Sequence, residues 1–193
     1  MAAENTGKIK LHQGEKKLYK GKYAKYFTTD IKEESILPHD IIPGPTFGFR
    51  GARQIPGACA NFGWNVIYKP YFIDRVTHVH AGDEYLSFLA GNVPDCFSNF
   101  DAEIDFHFGK EQEKYVITEP TIVRIPKGTF HCRLEFRKVN KPLLFVMLLL
   151  TPEFSLTTID GEKISVSGPE AGEKPKIIDP FKFPGKTSKK PEK

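Results

Sequence analysis

The chain has 193 residues, 39% of them hydrophobic and sixteen of them Phe, which suits one ordinary domain around a single sizeable core. Cys59, Cys96 and Cys132 are too few and too scattered for a disulfide framework, and no two form a C-x-x-C pair, so a cytoplasmic setting is expected. The net charge of +4 belongs to the ends, since residues 8–25 and 174–193 hold seven Lys each while residues 26–173 are net −6; a body of that sign excludes nucleic acid as an expected partner.

Residues 1–40 read as a polar leader and N-terminal extension without the apolar run of a secretory signal. The only helix-compatible pattern falls within residues 15–36. Residues 41–155 form the predicted domain body, in which short runs rich in Val, Ile, Phe and Tyr alternate with Gly, Pro and Asp punctuation. The clearest are Phe62–Tyr68, Val76–His80, Glu84–Ala90, Ala102–Phe108, Glu113–Ile117, Thr121–Ile125, Thr129–Phe136 and Leu143–Leu150. Ala102–Phe108 alternates cleanly, with Ile104, Phe106 and Phe108 on one face and Glu103, Asp105 and His107 on the other. Leu143–Leu150 is the most apolar run, but a membrane span needs about 20 residues, so it reads as a buried strand and no membrane partner is expected. Residues 156–173 are expected to pack on the body as strands or an extension, and residues 174–193 form a Lys- and Pro-rich tail. Eight or more short strands at this spacing predict an all-β sandwich or jelly-roll barrel.

Six histidines occur, at positions 12, 39, 78, 80, 107 and 131. His78 and His80 are two apart in a strand-like run, so both imidazoles point to one side with Cα atoms roughly 6–7 Å apart. Ala81-Gly82-Asp83 supplies a turn, and Glu84 opens the next run, where a tight turn folds its carboxylate back beside the imidazoles. His131 follows the turn signal Pro126-Lys127-Gly128.

The run from His78 through His80 and Glu84 to Gly91 resembles the first motif of the cupin family, H-x-H-x(3)-E-x(6)-G. Pro126-Lys127-Gly128-Thr129-Phe130-His131 resembles the second, P-x-G-x(2)-H. The resemblance covers about residues 60–150. It implies a jelly-roll β-barrel (double-stranded β-helix) with one divalent metal held by His78, His80, Glu84 and His131. Three positions depart from the motifs: Phe72 and Pro120 stand where the family has Gly, and Glu135 stands where it often has Asn. The stretch between the motifs, residues 92–119, is long enough for a loop and an extra hairpin.

Three neutral imidazoles and one carboxylate suit iron or manganese, with zinc, nickel or copper also compatible. Tyr85, Asp105 or Glu103 are candidates to orient the imidazoles, and Tyr85 and His107 are the candidate catalytic acid–base groups. Cys132 is expected to point away from His131 as a buried thiol, and Trp64 and the Phe residues are expected in the core. Phe88 and Phe130 are candidates to border a pocket, whereas Arg124 and Arg133 are expected at the surface. The resemblance implies a metal-dependent dioxygenase, isomerase, decarboxylase or lyase acting on a small molecule. The other reading is a non-catalytic barrel that binds or senses a small ligand. Single-domain members of the family commonly dimerise, so a homodimer is expected.

Overall fold

The computed structural model describes residues 20–33, 41–43, 46–92 and 95–167. Two antiparallel sheets face one another, and among the described residues there is no α-helix. The strands are β1 (Lys32–Glu33), β2 (Thr46–Arg50), β3 (Asn61–Ile67), β4 (Tyr71–Asp74), β5 (His78–Val79), β6 (Glu84–Ala90) and β7 (Ala102–Phe108). They continue with β8 (Glu113–Ile117), β9 (Thr121–Ile125), β10 (His131–Val139), β11 (Leu143–Leu149), β12 (Phe154–Thr158) and β13 (Lys163–Ser167). The first sheet runs β1-β2-β3-β11-β6-β9. The second runs β13-β12-β5-β10-β7-β8, with β4 also paired to β10.

Strand alternation decides what fills the barrel. On β6 the buried positions are Glu84, Leu86, Phe88 and Ala90, each two apart. Registered neighbours on β11 and β9 repeat the pattern, so rows of side chains cross the inner wall. Away from Glu84 the rows are apolar, and Phe88, Phe136 and Phe145 meet there with ring centroids 5.4–6.1 Å apart. Phe88 is therefore core and wholly buried. A Phe at such a site is worth about 3–5 kcal/mol relative to Ala. This packed end fixes the barrel, and the row containing Glu84 lies at the other end.

The strand pattern matches the sequence expectation closely between residues 61 and 149, and residues 102–117 form the extra hairpin. Three differences stand out. The expected helix within 15–36 is replaced, over its described part, by a single 3-10 turn at Ala24–Tyr26 and the short strand β1. β12 crosses the boundary set at residue 155 and pairs with β5, so the sheet continues through it. Trp64 is not core: it lies on the outward side of β3, 41% exposed, stacked on Phe47 at 4.2 Å. Its even-numbered position faces away from inward Asn61 and Gly63. His12, His39 and the tail 174–193 lie outside the described residues.

No helix among the described residues is long and apolar enough to cross a membrane.

Candidate functional site

The first motif spans the corner between the two sheets. His78 opens β5 in one sheet, His80 follows it, and Glu84 opens β6 in the other. Between them the chain passes so close to the end of β11 that a Cβ on Gly82 would collide with Leu150 O and the Thr151 methyl. Only glycine permits that approach. The Asp83 carbonyl then accepts from Leu150 N at 2.9 Å, which fixes the corner.

The second motif is a tight turn docked onto the first. Thr129 N donates to Pro126 O at 3.0 Å, and Gly128 adopts φ +75°, a conformation glycine takes without strain. Gly128 N donates to His80 O at 3.1 Å. Asp83 ties the two motifs together: Oδ1 accepts from Lys127 N at 2.9 Å, and Oδ2 accepts from Arg124 Nη2 at 2.7 Å and Nε at 3.0 Å. The Lys127 amide, followed by Arg124, holds the Asp83 carboxyl below its usual range. His131 emerges from this turn as the first residue of β10, registered directly against His78.

All three imidazoles are buried, and each has its Nδ1 committed to a backbone carbonyl. His78 Nδ1 donates to Val76 O at 2.7 Å, His80 Nδ1 to Ser155 O at 2.7 Å, and His131 Nδ1 to Thr129 O at 3.0 Å. A carbonyl oxygen only accepts, so in each neutral ring the proton is on Nδ1 and Nε2 carries a lone pair. Those Nε2 atoms converge. His78 Nε2 is 3.2 Å from His80 Nε2, and Glu84 Oε2 lies 3.0 Å from His131 Nε2 and 3.6 Å from His80 Nε2. The nearest charged neighbour of buried His131 Nε2 is the Glu84 carboxylate, at 3.0 Å.

Lone pairs packed this closely repel unless a cation lies among them. Donors about 2.1 Å from a shared ion stand about 3.0–3.4 Å apart in octahedral or tetrahedral order. The observed separations fall in or just beyond that range, and the ligand nitrogens of His78, His80 and His131 lie within 4.8 Å of one another, so these three imidazoles could hold a divalent metal with Glu84 beside them. Backbone carbonyls on the far ring nitrogens are also what a ligating imidazole requires to fix its tautomer.

The electrostatics agree. Burial lowers His78 and His80 below the usual imidazole value, with the neighbouring imidazoles adding to the effect at His78 and Glu84 opposing it at His80. Burial also acts on His131 and Glu84, but their attraction for one another wins, raising His131 and lowering Glu84.

The residues expected to act beside the metal lie elsewhere. Tyr85 alternates with Glu84 and Leu86 and so faces outward from β6, next to Arg124. His107 shares the outward side of β7 with Glu103 and Asp105, and its Nδ1 lies 3.3 Å from Arg133 O. Glu103 and Asp105 are ion-paired there with Arg137, Lys138 and Lys114. None of these four reaches the imidazoles: the strand period sends them to the wrong side of the wall.

Cys132 is a buried thiol, as expected, but strand alternation is not what places it. A β-bulge between His131 and Leu134, with Cys132 at φ +64°, breaks the alternation, so both His131 and Cys132 are buried. The Cys132 thiol, the Asp74 carboxylate and a His78 ring nitrogen lie within 4.8 Å of one another. Asp74 was not singled out in the sequence; its only signal is its place four residues before His78. Phe154, which stacks on His80 at 6.0 Å, and the Ser155 carbonyl were also missed, because β12 carries no motif. Two motif departures turn out to be partners, since Phe72 on β4 is registered against Glu135 on β10.

No family model matches the chain, and no curated protein matches it in sequence. Among solved structures it is similar to a double-stranded β-helix protein from Klebsiella pneumoniae, at 12% identity and TM-score 0.40, over 67% of this chain and 99% of that one. It is similar to an oxalate oxidase in complex with glycolate, at 12% identity and TM-score 0.43, over 77% and 66% of the two chains. It is also similar to the oxalate decarboxylase of Bacillus subtilis, a protein with Mn(II) centres, at 9% identity and TM-score 0.43, over 66% and 30%. The reading of the site therefore stands on the chain's own residues.

Proposed function

We propose that this chain, a double-stranded β-helix of the cupin type, is a metal-dependent enzyme acting on a small organic molecule. The reaction is of dioxygenase, isomerase, decarboxylase or lyase type, with iron or manganese held by His78, His80, Glu84 and His131. The observation that carries the reading is the convergence of three Nε2 lone pairs beside one buried carboxylate, each ring locked by a backbone carbonyl. A divalent ion bound there supplies Lewis acidity toward a substrate oxygen. The protein's own part is to hold the imidazoles neutral and fixed, and to keep bulk water away with the packed end of the barrel.

A second reading is favoured by one observation. Tyr85 and His107 face away, so the acid–base groups they were expected to supply are missing from the inner side. A barrel whose inner titratable groups are mostly candidate ligands is also suited to binding or sensing a small molecule without turnover. Metal content of the purified, untagged chain, measured beside a His78→Ala, His131→Ala double variant, tests the shared premise. About one equivalent in the wild type, lost in the variant, is expected; equal metal in both contradicts it. Turnover of candidate small molecules by the loaded chain then separates enzyme from binder. A homodimer remains part of the proposal, and light scattering of the purified chain reads it directly.

A further inference from the structure

The row of inward side chains that contains Glu84 continues across the first sheet. Register places Leu149 beside Glu84, Asn61 beside Leu149, and Arg50 beside Asn61. Arg50 is thus a cation on the inner wall, at the same level as the candidate metal ligands. Its guanidinium lies 5.1 Å from the Phe154 ring centroid, the same ring that stacks on His80.

Glu33 holds this guanidinium in a two-point grip: Arg50 Nε donates to Oε1 at 2.7 Å, and Nη2 donates to Oε2. Both side chains are only 17% exposed. Glu33 reaches Arg50 by lying across Gly48, where any Cβ would collide with its carboxyl group. Yet Glu33 belongs to β1, an edge strand with just two registered pairs. A two-residue edge strand is a weak anchor for a partly buried ion pair.

Two polar atoms beside this pair are unsatisfied. Arg50 Nη1 is a buried donor with no acceptor, and Oδ1 of the fully buried Asn61 is an acceptor with no donor. Asn61 Nδ2 is already used, donating to Thr151 O at 2.8 Å. A buried donor or acceptor left unpaired is destabilising. A hydroxyl group, which both donates and accepts, would satisfy the two together.

We propose that Arg50 anchors the carboxylate of a small hydroxy acid, and that Glu33 occupies that place while the site is empty. The inference rests on the small-molecule reading of the barrel and names the class of molecule. The ligand carboxylate replaces Glu33 on the guanidinium fork, the geometry for which arginine is suited. Its hydroxyl lies between Arg50 Nη1 and Asn61 Oδ1, and its remaining end points past Phe154 toward His80.

The test is calorimetric titration with lactate, and with uncharged lactamide as the control, on the chain with its metal and after chelation. A site free only a tenth of the time binds about tenfold more weakly than an open one. Glu33→Gln is therefore expected to bind lactate roughly tenfold more tightly than the wild type, with lactamide unchanged, and Arg50→Gln to lose lactate binding. The gain in the chelated chain isolates this anchor from the metal, so a failed metal reading would leave it visible. Folded Glu33→Gln and Glu33→Ala variants with wild-type lactate affinity would overturn the proposal, as would an equal gain for lactamide. Loss of folding in both Glu33 variants would also overturn it, since the pair would then be structural.

Discussion

Two strands of the second sheet carry the same signal and put it to opposite ends. The β5 run offers His78 and His80, two apart, and β7 offers Asp105 and His107, also two apart. On β5 the pair faces the barrel interior, where burial keeps both rings neutral and backbone carbonyls fix them. On β7 the pair lies on the other side of the wall, where Asp105 is buried but matched by Lys114 and Arg137, and His107 is only half-buried. The difference comes from the wall, not from the residues. Period two says that side chains share a face and is silent about which face is wet.

The comparison is broken most directly at the inner pair. Replacing His78 or His131 with Ala should weaken metal binding by more than the about 10–100-fold that loss of an outer partner costs. Dialysis against a metal buffer, followed by mass spectrometry, reads this. Retention of wild-type affinity in either variant would remove that residue from the site.

Acidity should come next. In the metal-free chain His78 and His80 lie below the usual 6.5, so the unfolded chain takes up these protons more readily than the folded one. Their contribution to stability is complete above pH 6.5 and is lost as the pH falls below it toward their folded values. His131 lies above 6.5, so its contribution is present below 6.5 and is lost as pH rises through its folded value. Two groups oppose one, and the metal-free chain is expected to melt at a lower temperature at pH 5.5 than at pH 7.5. A His78→Gln, His80→Gln variant should flatten or reverse that trend; an unchanged slope would mean that neither ring titrates with folding.

A smaller effect belongs to Asp83, which joins the two motif turns from the exposed side. Asp83→Ala should reduce metal affinity less than loss of any imidazole, because the turns keep the Gly128 to His80 hydrogen bond. An effect as large as that of His78→Ala would make the strap, not the rings, the main support of the site. Tyr85 on β6 and His107 on β7, both on the outward side, should respond least. Tyr85→Phe and His107→Ala are expected to leave metal content unchanged and stability within about 0.5 kcal/mol. A lost metal in either would place that side chain on the wrong face.

Much of this was legible in the residues. Eight strands could be placed because apolar residues alternate with polar ones, and the four candidate ligands because motif spacing and strand period agree. The bulge at Cys132 was not legible, since nothing in Phe130-His131-Cys132-Arg133 announces a residue at φ +64°. Nor was the outward turn of Tyr85 and His107, because the sequence does not say which side of β6 or β7 packs on the core. Asp74 and Ser155 act through contacts 55 or more residues away in the case of Cys132 and His80, or through carbonyls that every residue possesses. The Arg50–Asn61–Leu149–Glu84 row exists only once four strands are registered, so no window of sequence contains it.

Three imidazole Nε2 atoms and the Glu84 carboxylate are proposed to share one ion. X-ray absorption of the metal-loaded chain measures this coordination shell directly. Only nitrogen and oxygen neighbours at about 2.0–2.2 Å are expected, with the multiple-scattering signature of three imidazoles. A sulfur neighbour at about 2.3 Å would contradict it and move the ion to Asp74, His78 and Cys132.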